Sequence, residues 1–188
     1  MTDALTDTST AEPPLADLVA SRLRDIPDFP EPGVVFKDVT PLLADGPAFS
    51  AVVRDIADRR RGSVDLVAGI EARGFIFGAA VAHELGIGFV PVRKAGKLPG
   101  RTRGVSYDLE YGSATIEIHE DSFVGGERVL VIDDVLATGG TAAATCELLE
   151  GSDAEVVAVE TVVELAFLHG RSRLEGRDTH TLYVVGGD

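Results

Sequence analysis

The sequence predicts an α/β fold, a mainly parallel twisted sheet flanked by helices. Short apolar, β-branched runs alternate with stretches of helical spacing, the pattern left by strands joined through helical crossovers. One run, Val129 to Ile132, ends on two adjacent carboxylates and a turn of small residues that opens a helix. That layout puts polar groups where open α/β sheets hold ligands, at the carboxyl ends of strands. With 188 residues and 45% hydrophobic content, the chain can bury the core of one such domain.

Taken in order, Met1 to Pro14 is rich in Thr, Asp, Pro and Ala and reads as a disordered acidic tail, leaving residues 15–188 as a single domain. The tail has neither the basic n-region nor the apolar h-region of a secretory signal. Leu15, Leu18, Val19, Leu23 and Ile26 recur at helical spacing and predict a first helix over Leu15 to Arg24. A Pro-rich turn follows around Phe29 to Gly33. Phe49, Val52, Val53 and Ile56 then mark one face of a helix from about Pro47 to Arg61. Val64 to Gly69 reads as a short buried strand, Gly74 to Leu85 as a helix and Gly88 to Val92 as another strand. After Val129 to Asp134, Ala142 to Leu149 has helix-forming composition, and Val156 to Val163 and Thr181 to Val185 complete the strands. Lys94 to Tyr111, with Gly96, Pro99, Gly100 and Gly104, is too long for a plain connection and predicts an extended, mobile flap with the makings of a hairpin.

Net charge of −14 argues against a nucleic-acid surface, and no apolar run of 18 residues exists to span a membrane. The single cysteine, Cys146, cannot form an intrachain disulfide and reads as a packed core thiol, which suits a cytoplasmic protein. His83, His119, His169 and His180 stand apart without metal-ligand spacing. The chain has only three lysines, Lys37, Lys94 and Lys97, and all of them lie in segments that carry chemistry below.

Ala137, Thr138, Gly139, Gly140 and Thr141 combine flexible backbone, exposed N–H groups and hydroxyls at the start of a helix, a place that favours phosphate. Asp133 and Asp134 would repel that phosphate and need hydroxyl donors or a cation; a ribose diol between the acids and the phosphate suits both. The segment lacks the Lys of a Walker loop and the Gly-x-Gly-x-x-Gly of dinucleotide folds, which disfavours ATP held by a P-loop and NAD. The plainer alternative is an ordinary strand-turn-helix whose acids face solvent.

Four further segments accompany this one: Asp28-Phe29-Pro30 with Pro32-Gly33-Val34-Val35-Phe36-Lys37-Asp38; Gly69-Ile70-Glu71-Ala72-Arg73-Gly74-Phe75; Arg93-Lys94 with Gly96-Lys97-Leu98-Pro99-Gly100; and Tyr107-Asp108-Leu109-Glu110-Tyr111-Gly112. Together they resemble the adenine phosphoribosyltransferases of the type I phosphoribosyltransferase family, in the same order along almost the whole chain. The resemblance implies a small N-terminal hood over the sheet, a homodimer, and transfer of the phosphoribosyl group of 5-phosphoribosyl-1-pyrophosphate (PRPP) to adenine, giving AMP and pyrophosphate. It implies Mg²⁺ carried by the pyrophosphate, with no metal held by protein side chains.

It also implies residue roles. Asp133 and Asp134 would hold the ribose, and Ala137 to Thr141 the 5′-phosphate. Glu71, Ala72 and Arg73, with a cis Glu71–Ala72 peptide, would clamp pyrophosphate, helped by Arg93, Lys94 and Lys97. Phe36 would stack on adenine opposite Val135, a smaller residue than the Leu common in the family, while backbone groups of Val35 and Lys37 read the base. Glu110 would exchange a proton with the purine and Tyr111 would hold the flap. Two other readings stay open: a xanthine or hypoxanthine-guanine transferase on the same fold, and a non-catalytic PRPP or purine-sensing regulator.

Overall fold

The computed structural model describes residues 14–108 and 112–186; the tail up to residue 13, Glu110 and Tyr111 lie outside them. The core is a seven-stranded sheet in the order β5-β6-β4-β3-β7-β8-β9. Its parallel strands are β3 (Leu66–Ile70), β4 (Gly88–Lys94), β7 (Arg128–Leu136), β8 (Glu155–Leu165) and β9 (Thr179–Val185). At one edge, β5 (Thr102–Asp108) and β6 (Ser113–His119) form an antiparallel hairpin, and β6 pairs antiparallel with β4. That hairpin is the expected flap.

β7 shows why its sequence is a continuous apolar run. Leu130 and Ile132 enter one core cluster, shared with Val52, Ile56 and Phe77 of helices α3 (Gly46–Arg60) and α4 (Gly74–Leu85). Val129 and Val131 enter a second cluster with Cys146 and Leu149 of α5 (Gly140–Glu150). Alternate residues therefore point to opposite, equally covered faces. Because α4 follows β3 on one face and α5 follows the adjacent β7 on the other, a crevice opens between the carboxyl ends of these two strands.

The N-terminal region departs from the expected single helix. Helix α1 (Leu15–Ser21) stops early, and β1 (Arg24–Pro27) pairs antiparallel with β2 (Val35–Asp38) to form a separate two-stranded sheet. Leu23 and Ile26 fit helical spacing, but Pro27 and Pro30 forbid continuation, and Arg24 ties to Asp38 across the pair at 2.6 Å. This small sheet sets Phe36 opposite Ile26. A short helix, α2 (Thr40–Ala44), and two 3₁₀ turns, Ala166–Leu168 and Gly170–Leu174, carry no periodic signal and were not foreseen.

Candidate active site

Four loops leave the carboxyl ends of β3, β4, β7 and β8 on the same side of the sheet. After β7, the chain turns through Ala137, Thr138 and Gly139 into α5. Gly139 caps the helix at φ 77°, and a Cβ there would lie 2.2 Å from the carbonyl oxygen of Gly170. Reciprocally, a Cβ on Gly170 would lie 2.1 Å from the carbonyl oxygen of Ala137. Only two glycines allow these backbones to touch. The turn and the first residues of α5 line a small cavity of about 70 Å³ with Asp133, Val135 and Thr161. Its floor is a helix N-terminus, an anion site by dipole and by free N–H groups.

A second cavity, of about 600 Å³, shares Asp133, Val135, Ala137 and Thr141 with the first. Phe36, Lys37 and Val34 come to it from β2 and the residue before it, Glu71, Ala72 and Arg73 from the β3 loop, Lys94 from β4, and Tyr107 from the flap. The 3₁₀ segment after β8 contributes Leu168, and β8 itself Leu165.

The β3 loop begins with a cis Glu71–Ala72 peptide, as the resemblance implies. Gly74 starts α4 so close to β7 that a Cβ would meet the Ile132 carbonyl oxygen at 2.8 Å and Asp133 Oδ1 at 2.9 Å. This contact brings Arg73 to the acids: its Nε donates to Asp134 Oδ2 at 2.5 Å, and its guanidinium carbon lies 5.0 Å from the centre of the Phe36 ring. Phe29 meets the same ring edge-on at 5.3 Å.

The two acids are unequal. Asp134 is buried and paired with Arg73. Asp133 accepts the Asp134 N–H at 2.8 Å, and burial together with the neighbouring Asp134 charge pushes its carboxyl well above the ordinary carboxylate range.

Most of the residues singled out in the sequence converge, with instructive exceptions. Val34 lines the large cavity and Val35 does not; Val35 is 47% exposed on β2. Arg93 and Lys97 are also absent from the lining. Arg93 instead donates to Glu71 Oε2 at 3.0 Å and to the Lys97 carbonyl at 3.0 Å, holding the β3 loop from behind. Lys37 lines the cavity while its ammonium pairs with Asp25 at 2.7 Å. Sequence reasoning missed Gly170, Thr161, Leu165 and Leu168, which reach the site from segments without a motif.

The family described as phosphoribosyl transferase domain matches residues 42–186. A protein of Acidothermus cellulolyticus named adenine phosphoribosyltransferase is 59% identical over 172 residues, 91% of this chain and 97% of that protein. A second such protein, from Frankia casuarinae, is 54% identical over 178 residues, 94% of this chain and 95% of its own length. The crystal structure of adenine phosphoribosyltransferase from Thermoanaerobacter pseudethanolicus is similar with a TM-score of 0.87 at 46% identity, over 90% of this chain and 99% of that one. The enzyme from Saccharomyces cerevisiae, solved with an imino-altritol bisphosphate and adenine, is similar with a TM-score of 0.85 at 39% identity, over 89% of this chain and 98% of that one. Paired acids, a glycine-built anion cradle and a cationic loop around one cavity thus accompany similarity over nearly the full chain, which belongs to the phosphoribosyltransferase family and, within it, to the adenine phosphoribosyltransferases.

Proposed function

We propose that the protein transfers the 5-phosphoribosyl group of PRPP to N9 of adenine, releasing AMP and pyrophosphate. The observation that carries this reading is the single cavity of about 600 Å³ that joins Phe36 to Asp133, Asp134, Arg73 and Lys94 and opens into the anion cradle at Ala137 and Thr141.

In the reaction the C1′–N9 bond forms as the C1′–O bond to pyrophosphate breaks, leaving positive charge on the sugar and negative charge on the leaving group. Asp133 and Asp134 accept hydrogen bonds from the ribose hydroxyls and place negative potential beside the sugar. The cradle from Ala137 to Thr141 fixes the 5′-phosphate, so that most of the substrate's binding energy is spent on orienting C1′. Glu71, Ala72 and Arg73, with Lys94, receive the pyrophosphate; Arg93 supports them through Glu71, and Lys97 adds charge from the neighbouring turn. Adenine stacks on Phe36 against Val135, with backbone groups of Val35 and Lys37 reading its edge. Glu110 accepts the N9 proton, and Tyr111 holds the flap over the site.

We assign Mg²⁺ to the pyrophosphate oxygens. Asp134 is already engaged by Arg73, which leaves it poorly placed to ligate a hard cation. When bound, the ion would neutralise charge developing on the leaving group.

Residues 15–188 are read as one domain. The family likeness supports a homodimer and a cytoplasmic location; among the described residues no helix is long and apolar enough to cross a membrane. The function is tested by incubating the purified protein with PRPP, Mg²⁺ and adenine, hypoxanthine, guanine, xanthine or uracil in turn. AMP formation with adenine alone is expected; turnover of a keto base without adenine turnover would overturn the reading.

A further inference from the structure

We propose that Tyr107 is a positioning residue for the 5′-phosphate, acting through the hydroxyl of Thr141; this rests on reading the Ala137–Thr141 cradle as the phosphate site. The phenol oxygen of Tyr107 lies 2.9 Å from Thr141 Oγ1, and both residues line the large cavity. Thr141 also lines the small cradle, where Tyr107 does not reach.

The two threonines of α5 spend their hydroxyls differently. Thr145 donates back to the Thr141 carbonyl at 2.8 Å, the usual arrangement for a threonine inside a helix. Thr141 sits in the first turn, where its hydroxyl is turned instead to a side chain from another element.

A hydroxyl has one proton and two lone pairs. A phosphate in the cradle can only accept, so it takes the proton of Thr141, and Tyr107 must then be the donor in the Tyr107–Thr141 bond. The phenol is the better donor of the two, and donation into Oγ1 polarises the hydroxyl toward the phosphate. With Tyr107 fixed, Thr141 has one rotamer that satisfies both partners; without it, the hydroxyl rotates freely and its ordering is charged to substrate binding.

Tyr107 is itself well held. Its ring packs against the core cluster that contains Val92 and Ile116, and β5 is tied to the far end of α5 by Arg103, which donates to the Gly151 carbonyl. The strand thus lies along the phosphate helix, anchored at both ends, and the phenol oxygen has a fixed position relative to the cradle.

The test compares Tyr107→Phe, Thr141→Val and the double variant by KM for PRPP, KM for adenine, and competitive inhibition by ribose 5-phosphate. Tyr107→Phe keeps the packed ring and removes one hydrogen bond; it is expected to raise the PRPP KM and the ribose 5-phosphate inhibition constant about fivefold in parallel, leaving the adenine KM within about twofold. Thr141→Val is expected to raise both by about tenfold, and the double variant to match Thr141→Val because the phenol then has nothing to position. If Tyr107→Phe leaves both constants unchanged while Thr141→Val raises them, or if the two effects multiply in the double variant, the proposal fails and the cradle reading stands. If Thr141→Val changes neither constant, the cradle reading fails and takes the proposal with it.

Discussion

Arg73 and Asp134 form an ion pair at 2.5 Å between the loop after β3 and strand β7, with the arginine also laid over the Phe36 ring. One guanidinium therefore joins the β3 loop, the paired acids and the Phe36 ring. Asp134 keeps only 7% of its side-chain surface in water and Arg73 34%, so removing the cation strands a buried carboxylate. Arg73→Ala is expected to cost roughly 2 kcal/mol of stability, below the figure for fully buried pairs because Arg73 is half wet. It should also lower kcat/KM for PRPP about 100-fold, as charge-assisted contacts to pyrophosphate go with it. Arg73→Lys restores the charge without the planar fork and should recover only part of each loss. Urea unfolding and steady-state kinetics on both variants check this; equal kinetics for Arg73→Ala and the unchanged protein would remove Arg73 from the site.

Asp133 makes a pH prediction. Its folded pKa is raised, so between the ordinary carboxylate range and that raised value the folded protein binds a proton that the unfolded chain does not. Stability is then lost as pH rises through this window, and at neutral pH Asp133 is a cost. Asp133→Asn removes the half-buried charge and keeps an oxygen to accept the Asp134 N–H. Its melting temperature should exceed that of the unchanged protein by about 3 °C at pH 8, corresponding to about 1 kcal/mol, with the gap closing toward pH 4. PRPP turnover should fall by an order of magnitude or more, and Asp134→Asn should lose as much, since each carboxylate contact to a ribose hydroxyl is worth about 1.5–3 kcal/mol. A gap that widens toward acid would reverse the assignment of the shift.

How much of this was legible in the sequence depended on whether a residue's role is local. The β7 run, the paired acids and the small-residue turn are read within one segment, and α4 begins and ends where its spacing says, at Gly74 and Leu85. Phe36 is placed at the site by neighbours that carry the family pattern, although no periodicity assigns an element to residues 35–38, the strand that holds it. Arg93 shows the limit: residue type announces a cation near pyrophosphate, but only the fold shows that Glu71 and the Lys97 carbonyl already occupy it. Gly170 lies beyond any local rule. Its requirement for hydrogen in place of Cβ is set by the Ala137 carbonyl, more than thirty residues earlier.

That close approach can be tested directly. Gly170→Ala would press a methyl into the Ala137 carbonyl at 2.1 Å, so the cradle must shift. Gly176, at φ 83° with nothing within 4 Å of its would-be Cβ, serves as the control. Gly176→Ala should cost about 1 kcal/mol from backbone conformation alone and leave kinetics unaltered. Gly170→Ala should raise the PRPP KM at least tenfold, the order of one displaced charge-assisted contact, with the adenine KM little changed. Similar PRPP kinetics for the two variants would show that the 3₁₀ segment does not support the cradle.

Cys146 lies in α5, fully buried in the cluster beneath the cradle helix, and burial pushes its thiol up to about 11. Thiolate, and with it reactivity, is therefore scarce at pH 8. Native protein should leave a disulfide reagent such as dithiobis-nitrobenzoate nearly unreacted over an hour, and one thiol per chain should appear on adding guanidinium. Rapid native labelling would mean that α5 opens from the sheet, and PRPP should then slow it.

Glu160 separates stability from activity. It is fully buried on β8 and accepts from Arg60 Nε at 2.6 Å and Arg59 Nε at 3.1 Å, while Arg60 also reaches Asp178 at 2.5 Å just before β9. The network pins the end of α3 to β8 and the start of β9. Glu160→Ala leaves Arg60, itself buried, without its main partner and should cost about 3–5 kcal/mol. Glu160→Gln keeps an oxygen acceptor and should cost less. The next residue, Thr161, points to the opposite face and lines the cradle, so the strand backbone links network and site. Provided the chain remains folded, Glu160→Gln should show a lower urea midpoint with a PRPP KM within about twofold of the unchanged protein, because the residues of the network line neither cavity and have no charge-assisted contact to substrate to lose. A large KM change at an unchanged midpoint would instead mean that β8 transmits the network's state to Thr161.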